Sequence, residues 1–282
     1  MKFGASSYIW AELFGAEHFD VLPRLKEGGF DGIEIGVIEP AIFPARAVRK
    51  ELEKSGLECT TCGTIPNGAS LISHDPELRR KARTHVQDCI KATADLGGRI
   101  FCGPIYSPVG YFSGRRRTPD EWKWGVESWK EIAPLAAQHQ VTVAIEPLNR
   151  FETYFLNTAA DAAKFCDEIA EPNVGVLVDT FHANIEEKSI GAALHHAGRH
   201  LKHIHSSEND RGTPGTGNVN WTELFAAIKA MDYGNWMVIE SFGFSLGAVA
   251  AAASIWRDIE RTPESIAFDG VKFLREGTSG SA

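Results

Sequence analysis

The sequence of 282 residues lacks any apolar run close to the roughly 18 residues of a membrane-spanning helix, so no membrane partner is expected. Its first residues lead straight into a predicted strand without an apolar leader segment, which predicts a cytoplasmic location. Positive charge is also scarce, since 29 lysine and arginine residues oppose 37 acidic residues and the formal net charge is −8. Such a chain repels phosphate backbones, so nucleic acid is not expected as a partner.

Cysteine is represented by five residues, an odd number without the spacing of a disulfide framework. This excludes the class of small disulfide-stabilised secreted domains and fits a reducing compartment. Cys59 and Cys62 form a C-x-x-C pair, which can indicate redox chemistry or metal binding. Residues three apart on a strand point to opposite faces, however, so we interpret the two as unpaired cysteines.

The sequence also lacks a G-x-G-x-x-G motif after its first predicted strand, which argues against an open dinucleotide-binding sheet. Instead, short β-rich runs alternate with longer amphipathic segments along the whole chain. Eight such units in this length predict a closed (β/α)₈ TIM barrel in the α/β class. We expect residues 1–276 to form this single barrel and the Gly/Ser-rich residues 277–282 to form a flexible tail. The predicted strands are 2–6, 32–36, 58–63, 99–103, 142–146, 174–179, 200–206 and 236–240.

Capping residues predict where several helices begin and end. Residues 77–96 carry apolar side chains at helical spacing, and Thr118 precedes Pro119 as an N-cap precedes a first-turn proline. Glycines at 28–29, 56 and 97–98 follow helical segments, where C-cap glycines belong.

Four successive predicted strands end on side chains that can bind a metal ion, namely Glu146, Asp179, His205 and Glu240. Because the carboxyl ends of barrel strands meet at one mouth, these side chains are expected to converge. Three oxygen donors and one imidazole suit Mn²⁺, Co²⁺ or Mg²⁺ better than a structural zinc. The histidine is the least distinctive member, since His203 lies two residues earlier on the same strand face.

Other motifs have plainer interpretations. The run 115–117 of three arginines could bind phosphate, but charge runs before helices are usually solvated. The glycine-rich residues 212–217 could form a phosphate nest or a mobile loop, and we favour the loop. Aromatic side chains near the predicted mouth could wall a sugar pocket, although several are expected to serve packing. They are Tyr8, Trp10, Phe14, Tyr106, Tyr111, Phe112 and Trp122.

Three longer motifs make the chain similar to the D-tagatose/D-allulose (psicose) 3-epimerase family. Residues 146–152 (E-P-L-N-R-F-E) resemble its E-x-x-N-R-F-E stretch, and 179–187 (D-T-F-H-A-N-I-E-E) resemble its D-T-F-H-x-N-I-E-E stretch. Residues 203–211 (H-I-H-S-S-E-N-D-R) match H-x-H-x-x-E-x-x-R, and a P-G-T-G segment at 214–217 precedes Trp221. Pro147, Ser241 and the serines 206–207 depart from the usual pattern, which leaves the sugar preference open.

This resemblance implies a xylose isomerase-like barrel that works as a dimer or tetramer on a small-molecule ketose. It implies a divalent metal, Mn²⁺ first with Co²⁺ or Mg²⁺ as alternatives, held by Glu146, Asp179, His205 and Glu240. It implies sugar contacts from Glu152, His182 and Arg211, and proton transfer by Glu146 and Glu240. The expected reaction is C3 epimerisation of free 2-ketoses such as D-fructose/D-allulose, D-tagatose/D-sorbose and L-ribulose/L-xylulose through a cis-enediolate.

Three alternatives remain from the sequence. Aldose–ketose isomerases, hydroxypyruvate isomerases and inosose-type dehydratases can use the same barrel and related enediolate chemistry. An apurinic endonuclease-type phosphodiesterase would need more histidine ligands and a basic surface, which the acidic charge opposes. A non-catalytic sugar-binding barrel would not require two acid/base carboxylates.

Overall fold

The computed structural model describes residues 1–243 and 247–280, and its central feature is a closed barrel of eight parallel strands. Neighbouring strands in the barrel follow one another in sequence, and β8 pairs with β1 to close the sheet. The fold class predicted from the sequence is confirmed. The strands are β1 (Lys2–Ser6), β2 (Gly32–Gly36), β3 (Glu58–Cys62), β4 (Ile100–Gly103), β5 (Thr142–Ile145), β6 (Val174–Asp179), β7 (Leu201–His205) and β8 (Trp236–Ile239).

Helices surround the barrel and bury their apolar faces against it, as crossover helices of a parallel sheet must. Among the described residues, no helix is both long and apolar enough to cross a membrane. The helices are α1 (Val21–Glu27), α2 (Ala45–Ser55), α3 (Pro76–Leu96), α4 (Pro119–Gln138), α5 (Ala159–Ile169), α6 (Thr180–Glu186), α7 (Ile190–Ala197), α8 (Trp221–Ala230), α9 (Gly247–Ala252) and α10 (Pro263–Ser279).

The predicted helix ends are present for the expected reasons. The hydroxyl of Thr118 accepts a hydrogen bond from the backbone N–H of Glu121, whose side chain in turn accepts one from the Thr118 N–H. This capping box fixes the start of α4. Gly97 ends α3 with a φ of 86°, in the left-handed region that glycine tolerates best.

The carboxyl-terminal end of the chain differs from the predicted tail that begins at residue 277. Helix α10 continues through Ser279, and the Thr278 hydroxyl donates a hydrogen bond to the carbonyl of Leu274. Gly277 packs so closely against Phe225 that an added Cβ would collide with the ring. Packing against α8 therefore keeps these residues helical despite their composition. Residues 281 and 282 lie outside the described residues.

Candidate active site

Four side chains converge at the carboxyl end of the barrel, where strands β5 to β8 finish. Asp179 and His205 are the last residues of β6 and β7 and are paired in register, while Glu146 and Glu240 immediately follow β5 and β8. All four are buried, and each offers one ligand-capable atom within 4.8 Å of the others. The structure thus brings together the four residues that the sequence predicted to converge.

Arg211 enters the same cluster from the loop after β7. Its Nη1 donates to Oδ2 of Asp179 at 2.6 Å, to Oε2 of Glu240 at 2.7 Å and to the hydroxyl of Ser207 at 2.9 Å. The guanidinium stacks over the ring of Phe181, with Cζ 4.0 Å from the ring centroid. One buried cation is therefore shared between two carboxylates.

The backbone of Arg211 is held in an uncommon conformation. Its φ is +66°, in the left-handed region that few non-glycine residues adopt. Its N–H donates to the carbonyl of Glu208, and its carbonyl accepts from the hydroxyl of Ser241 at 2.6 Å. Ser241, one of the residues that departs from the family pattern, thus helps to place the arginine.

Burial and mutual repulsion give the carboxylates different proton affinities. Burial, reinforced by the charges of Glu240 and Asp179, raises the pKa of Glu146 well above its usual range. Burial also opposes the ionisation of Asp179, but Arg211 and His182 outweigh it and lower the pKa of Asp179 to about 2. Glu146 therefore holds a proton more readily than Asp179 does.

His182 and Glu152, two of the predicted sugar-binding residues, lie beside this cluster and share the partner Asn149. The Nδ2 of Asn149 donates to Nδ1 of His182 at 2.9 Å and to Oε1 of Glu152 at 2.8 Å. Burial, with the charge of Arg211, lowers the pKa of His182 to about 3, so its ring is neutral. Because Nδ1 accepts hydrogen bonds, Nε2 carries the proton and faces the carboxylates of Glu146 and Asp179 at 3.6 and 3.7 Å.

Glu34, which the sequence analysis did not select, lies deeper in the barrel below His205. Its Oε1 is 2.7 Å from Nε2 of His205, and its Oε2 is 2.8 Å from Nε2 of His203. The signal was present in the sequence, because a glutamate between two isoleucines in a predicted strand is an unusual residue to bury. The sequence analysis also did not select Asn149, because its hydrogen bonds to His182 and Glu152 depend on the conformation of the loop after β5.

A cavity of about 310 Å³ opens at the cluster, within the range of small-molecule sites. Glu146, Glu240, Glu152, His182, His205 and Arg211 form its polar lining. The rest of the lining is largely apolar and includes Tyr8, Ile38, Ile65, Pro108, Val109 and Phe242. The cavity thus combines one polar group of side chains with an extended apolar wall.

Few of the predicted aromatic residues contribute to this wall. Tyr8 lines the cavity and stacks on Phe242, with ring centroids 5.7 Å apart. Phe14 and Tyr106 belong to the hydrophobic core, and Trp122 packs between helices against Phe165. Tyr111 and Phe112 are exposed, and Trp10 packs against the core at its edge.

The weaker motifs serve structure in the described part of the chain. Arg115 pairs with Glu121, and Arg117 pairs with Asp161, so the arginine run is largely committed to α4 and α5. Cys59 and Cys62 are both buried free thiols, and only Cys62 of these two lines the cavity.

The glycine-rich loop after β7 is organised by Glu208. Its carboxylate is fully buried and accepts hydrogen bonds from the N–H groups of Gly215 and Val219 and from Nε1 of Trp221. These backbone donors are therefore not free to hold a phosphate, which agrees with the preferred interpretation of the segment as a loop.

The donor set at the mouth fits a divalent cation. Among the described residues, Oε1 of Glu146 and Nδ1 of His205 are buried atoms without a hydrogen-bond partner. Nδ1 of His205 lies 3.3 Å from Oε2 of Glu240 and 3.9 Å from Oε1 of Glu146. Burying such polar atoms unpaired is costly, and a cation between them would satisfy both.

Comparisons with known proteins agree with this architecture. Residues 22–277 match the family described as the xylose isomerase-like TIM barrel. A protein named "Probable ketose 3-epimerase" from Synechocystis sp. is 37% identical over 276 residues, covering 98% of this chain and 96% of that protein.

Two solved structures are similar over nearly their full length. The D-psicose 3-epimerase of Clostridium cellulolyticum H10, solved with D-tagatose, is 30% identical with a TM-score of 0.91 and covers 99% of both chains. The D-allulose 3-epimerase of Methylomonas sp., solved in complex with D-allulose, is 25% identical with a TM-score of 0.93 and covers 98% of this chain and 96% of that one. The chain therefore belongs to the ketose 3-epimerases, isomerases built on the xylose isomerase-like TIM barrel.

Proposed function

We propose that this protein is a metal-dependent ketose 3-epimerase whose proton-transfer pair is Glu146 and Glu240. The observation that carries the proposal is the approach of both carboxylates to Nδ1 of His205, at 3.9 Å for Glu146 and 3.3 Å for Glu240, at the polar end of a sugar-sized cavity. Inversion at C3 requires a proton to leave one face of the sugar and another to arrive on the opposite face. Because β5 and β8 are separated by two strands in the barrel, their glutamates approach the cavity from different directions.

Glu146, Asp179, His205 and Glu240 would hold the cation, with Mn²⁺ as the first candidate and Co²⁺ or Mg²⁺ as alternatives. A divalent cation bound there supplies Lewis-acid polarisation of the C2 carbonyl, which acidifies the neighbouring C3 proton. Two observations support this assignment. Oε1 of Glu146 and Nδ1 of His205 are buried without a hydrogen-bond partner among the described residues. The cluster also contains three carboxylates but a single arginine.

The two glutamates differ in their surroundings. In the metal-free protein, burial and the charges of Glu240 and Asp179 raise the pKa of Glu146, and a cation that takes its carboxylate as a ligand must displace that proton. Glu240 accepts a charged hydrogen bond from Arg211 at 2.7 Å, which fixes its carboxylate beside the cavity. One of the two glutamates removes the C3 proton, and the other delivers a proton to the opposite face. In the reverse reaction the two residues exchange roles.

Glu152, His182 and Arg211 would hold the O1–O2 end of the ketose. The Nε2–H of neutral His182 can donate to a sugar oxygen, because Nδ1 accepts from the backbone and side-chain amides of Asn149. Arg211 lines the same cavity, and its fixed charge stabilises negative charge that develops at O2. The apolar wall orients the remaining carbons while making few demands on individual hydroxyls. Free ketohexoses and ketopentoses are therefore the proposed substrates, including D-fructose/D-allulose, D-tagatose/D-sorbose and L-ribulose/L-xylulose.

We further propose that residues 1–276 act as one catalytic domain, that the protein assembles as a homodimer or homotetramer, and that it works in the cytoplasm. Exposed apolar side chains support the assembly, because Phe151 and Trp256 are 72% and 78% exposed. Light scattering of the purified protein tests the oligomeric state, and a monomer at micromolar concentration would contradict it.

The function is tested by incubating metal-stripped protein with D-fructose, D-tagatose or L-ribulose, with and without Mn²⁺, and separating the products. We expect the C3 epimer to form only with metal, and Glu146→Gln and Glu240→Gln to lose nearly all of this activity. Glu39→Gln, which changes an exposed carboxylate after β2, is the matched control and should retain it. An aldose product would instead assign an aldose–ketose isomerase, and no conversion of any sugar by metal-loaded protein would refute the proposal.

A further inference from the structure

Glu34 is a fully buried carboxylate at the centre of β2, between Ile33 and Ile35. Its side chain points into the barrel, while the two isoleucines belong to the surrounding hydrophobic core. A buried carboxylate is strongly destabilising unless its oxygens receive hydrogen bonds. The identity of its partners therefore indicates what the residue does.

Four side chains from three other strands surround this carboxylate. Oε1 is 2.7 Å from Nε2 of His205. Oε2 is 2.8 Å from Nε2 of His203, 2.9 Å from the hydroxyl of Thr60 and 3.3 Å from the thiol of Cys102. All four groups can donate a hydrogen bond, so both oxygens of the buried carboxylate are satisfied inside the barrel.

The contact with His205 decides which nitrogen of that ring is available for other chemistry. Because Nε2 must carry a proton to donate to Glu34, Nδ1 is the nitrogen that can offer a lone pair. That Nδ1 faces the carboxylates of Glu240 and Glu146 and has no hydrogen-bond partner among the described residues. His203 packs edge-on against the same ring, with centroids 5.3 Å apart, and limits its rotation.

We infer that Glu34 is a positioning residue that fixes the tautomer and orientation of His205 and so tunes the affinity of the mouth for a divalent cation. A carboxylate that accepts the distal N–H of a ligating histidine orients the ring and raises its basicity. This inference rests on the proposed function, because it presupposes that His205 is a metal ligand. In this role Glu34 does not bind the ion itself, but its replacement weakens metal binding.

A second interpretation of the same atoms is a separate ion site, since Glu34, Cys102, His203 and His205 also lie within 4.8 Å of one another. The contacts favour the positioning role. Glu34 already receives a hydrogen bond from each of the other three residues. An ion there would also have to displace the proton on Nε2 of His205, the proton that leaves Nδ1 free for the mouth.

The test is calorimetric titration of Mn²⁺ into metal-stripped wild-type protein and the Glu34→Gln variant. We expect one ion per chain in the wild type and an affinity about 10–100-fold lower in Glu34→Gln, the usual effect of losing such a partner. Thr61→Val is the matched control, because its hydroxyl is buried in the adjacent strand but bonds Thr93 instead of Glu34. The control should bind Mn²⁺ within about threefold of the wild type.

The outcomes separate the inference from the proposed function. If the wild type binds no Mn²⁺, both fail. If the wild type binds one ion and Glu34→Gln binds it equally well, the proposed function stands and the positioning role is wrong. Two ions per wild-type chain, with one lost in Glu34→Gln, would overturn the inference in favour of a second site.

A second measurement applies if Glu34→Gln does not fold. In wild-type protein labelled with ¹⁵N-histidine and loaded with diamagnetic Mg²⁺ or Zn²⁺, His205 should carry its proton on Nε2. The resonance is assigned by its absence from the His205→Asn spectrum. A proton on Nδ1 would overturn the inference without any variant at Glu34.

Discussion

Arg211 and Glu240 form a buried ion pair at the barrel mouth, with Nη1 2.7 Å from Oε2, although Glu240 is also a proposed metal ligand. The same nitrogen lies 2.6 Å from Asp179, a second proposed ligand. Without a bound cation, Arg211 is therefore the positive charge that the loop after β7 supplies to balance the carboxylates of Asp179 and Glu240. A bound cation would share that task and leave the guanidinium freer to contact a substrate.

Replacing Arg211 by methionine should destabilise the metal-free protein much more than the metal-loaded protein. Removing one partner of a buried pair leaves uncompensated charge and costs about 3–5 kcal/mol. Urea unfolding with and without Mn²⁺ measures this, and the stabilisation by Mn²⁺ should be larger in the variant. The epimerase activity of the metal-loaded variant should also fall. Arg116→Met, in the arginine run before α4, serves as a control, and equal losses with and without Mn²⁺ would contradict the shared role.

Asn149→Asp should impair turnover through His182. The side-chain amide of Asn149 donates to Nδ1 of His182, whereas a carboxylate there can only accept and would favour the ring form that carries its proton on Nδ1. The ring would then lose the tautomer that donates from Nε2, and kcat/KM should fall at least about tenfold, since wrong histidine tautomers can cost far more. Initial epimerisation rates measure this loss. Asn218→Asp, which adds the same charge to an exposed loop, should leave the rate unchanged.

Stabilisation by Mn²⁺ should increase as the pH rises above the ordinary glutamate pKa of about 4.3. Burial and the charges of Glu240 and Asp179 raise the folded-state pKa of Glu146, whereas the unfolded chain has the ordinary value of about 4.3. The metal-free fold therefore binds more protons than the unfolded chain above that value, so this group lowers its stability as pH rises towards the folded pKa. A cation needs the carboxylate and removes the penalty.

Thermal unfolding at several pH values, with and without 1 mM Mn²⁺ (about a saturating concentration for such sites), measures this difference. In Glu146→Gln the pH dependence of the metal-induced shift should be smaller. A shift that is constant across these pH values in the wild type would show that Glu146 does not lose a proton when the metal binds.

Glu208→Gln should lower stability and disturb Arg211. The carboxylate of Glu208 accepts from Gly215, Val219 and Trp221, and a glutamine amide would point an N–H group at some of these donors. Leaving buried donors unmet should cost roughly 2–4 kcal/mol of unfolding free energy. Activity should also fall, because the carbonyl of Glu208 accepts from the strained Arg211 backbone. Glu276→Gln, at an exposed position of α10, is the control, and equal stability of the two variants would contradict the role of Glu208.

The strands and four residues of the site could be predicted because each depends on local pattern. Apolar runs such as that of β6 have few alternatives to a buried parallel strand, and the observed bounds lie within one residue of those expected. Asp179 and Glu240 were recognisable because polar side chains directly after such runs must lie at the barrel mouth. The capping box at Thr118 was equally local.

The contacts that cross the barrel could not be predicted in the same way. Glu34 and His205 are separated by 171 positions in the sequence, and only closure of the eight strands places them 2.7 Å apart. The helical end of α10 likewise depends on Phe225 packing against Gly277, which outweighs the flexible composition of that segment. The sequence alone determined the barrel and the identity of the groups at its mouth, since periodicity and strand ends are local properties. Only the tertiary structure decided which tautomer, charge and partner each group has, because these depend on distances between residues far apart in the chain.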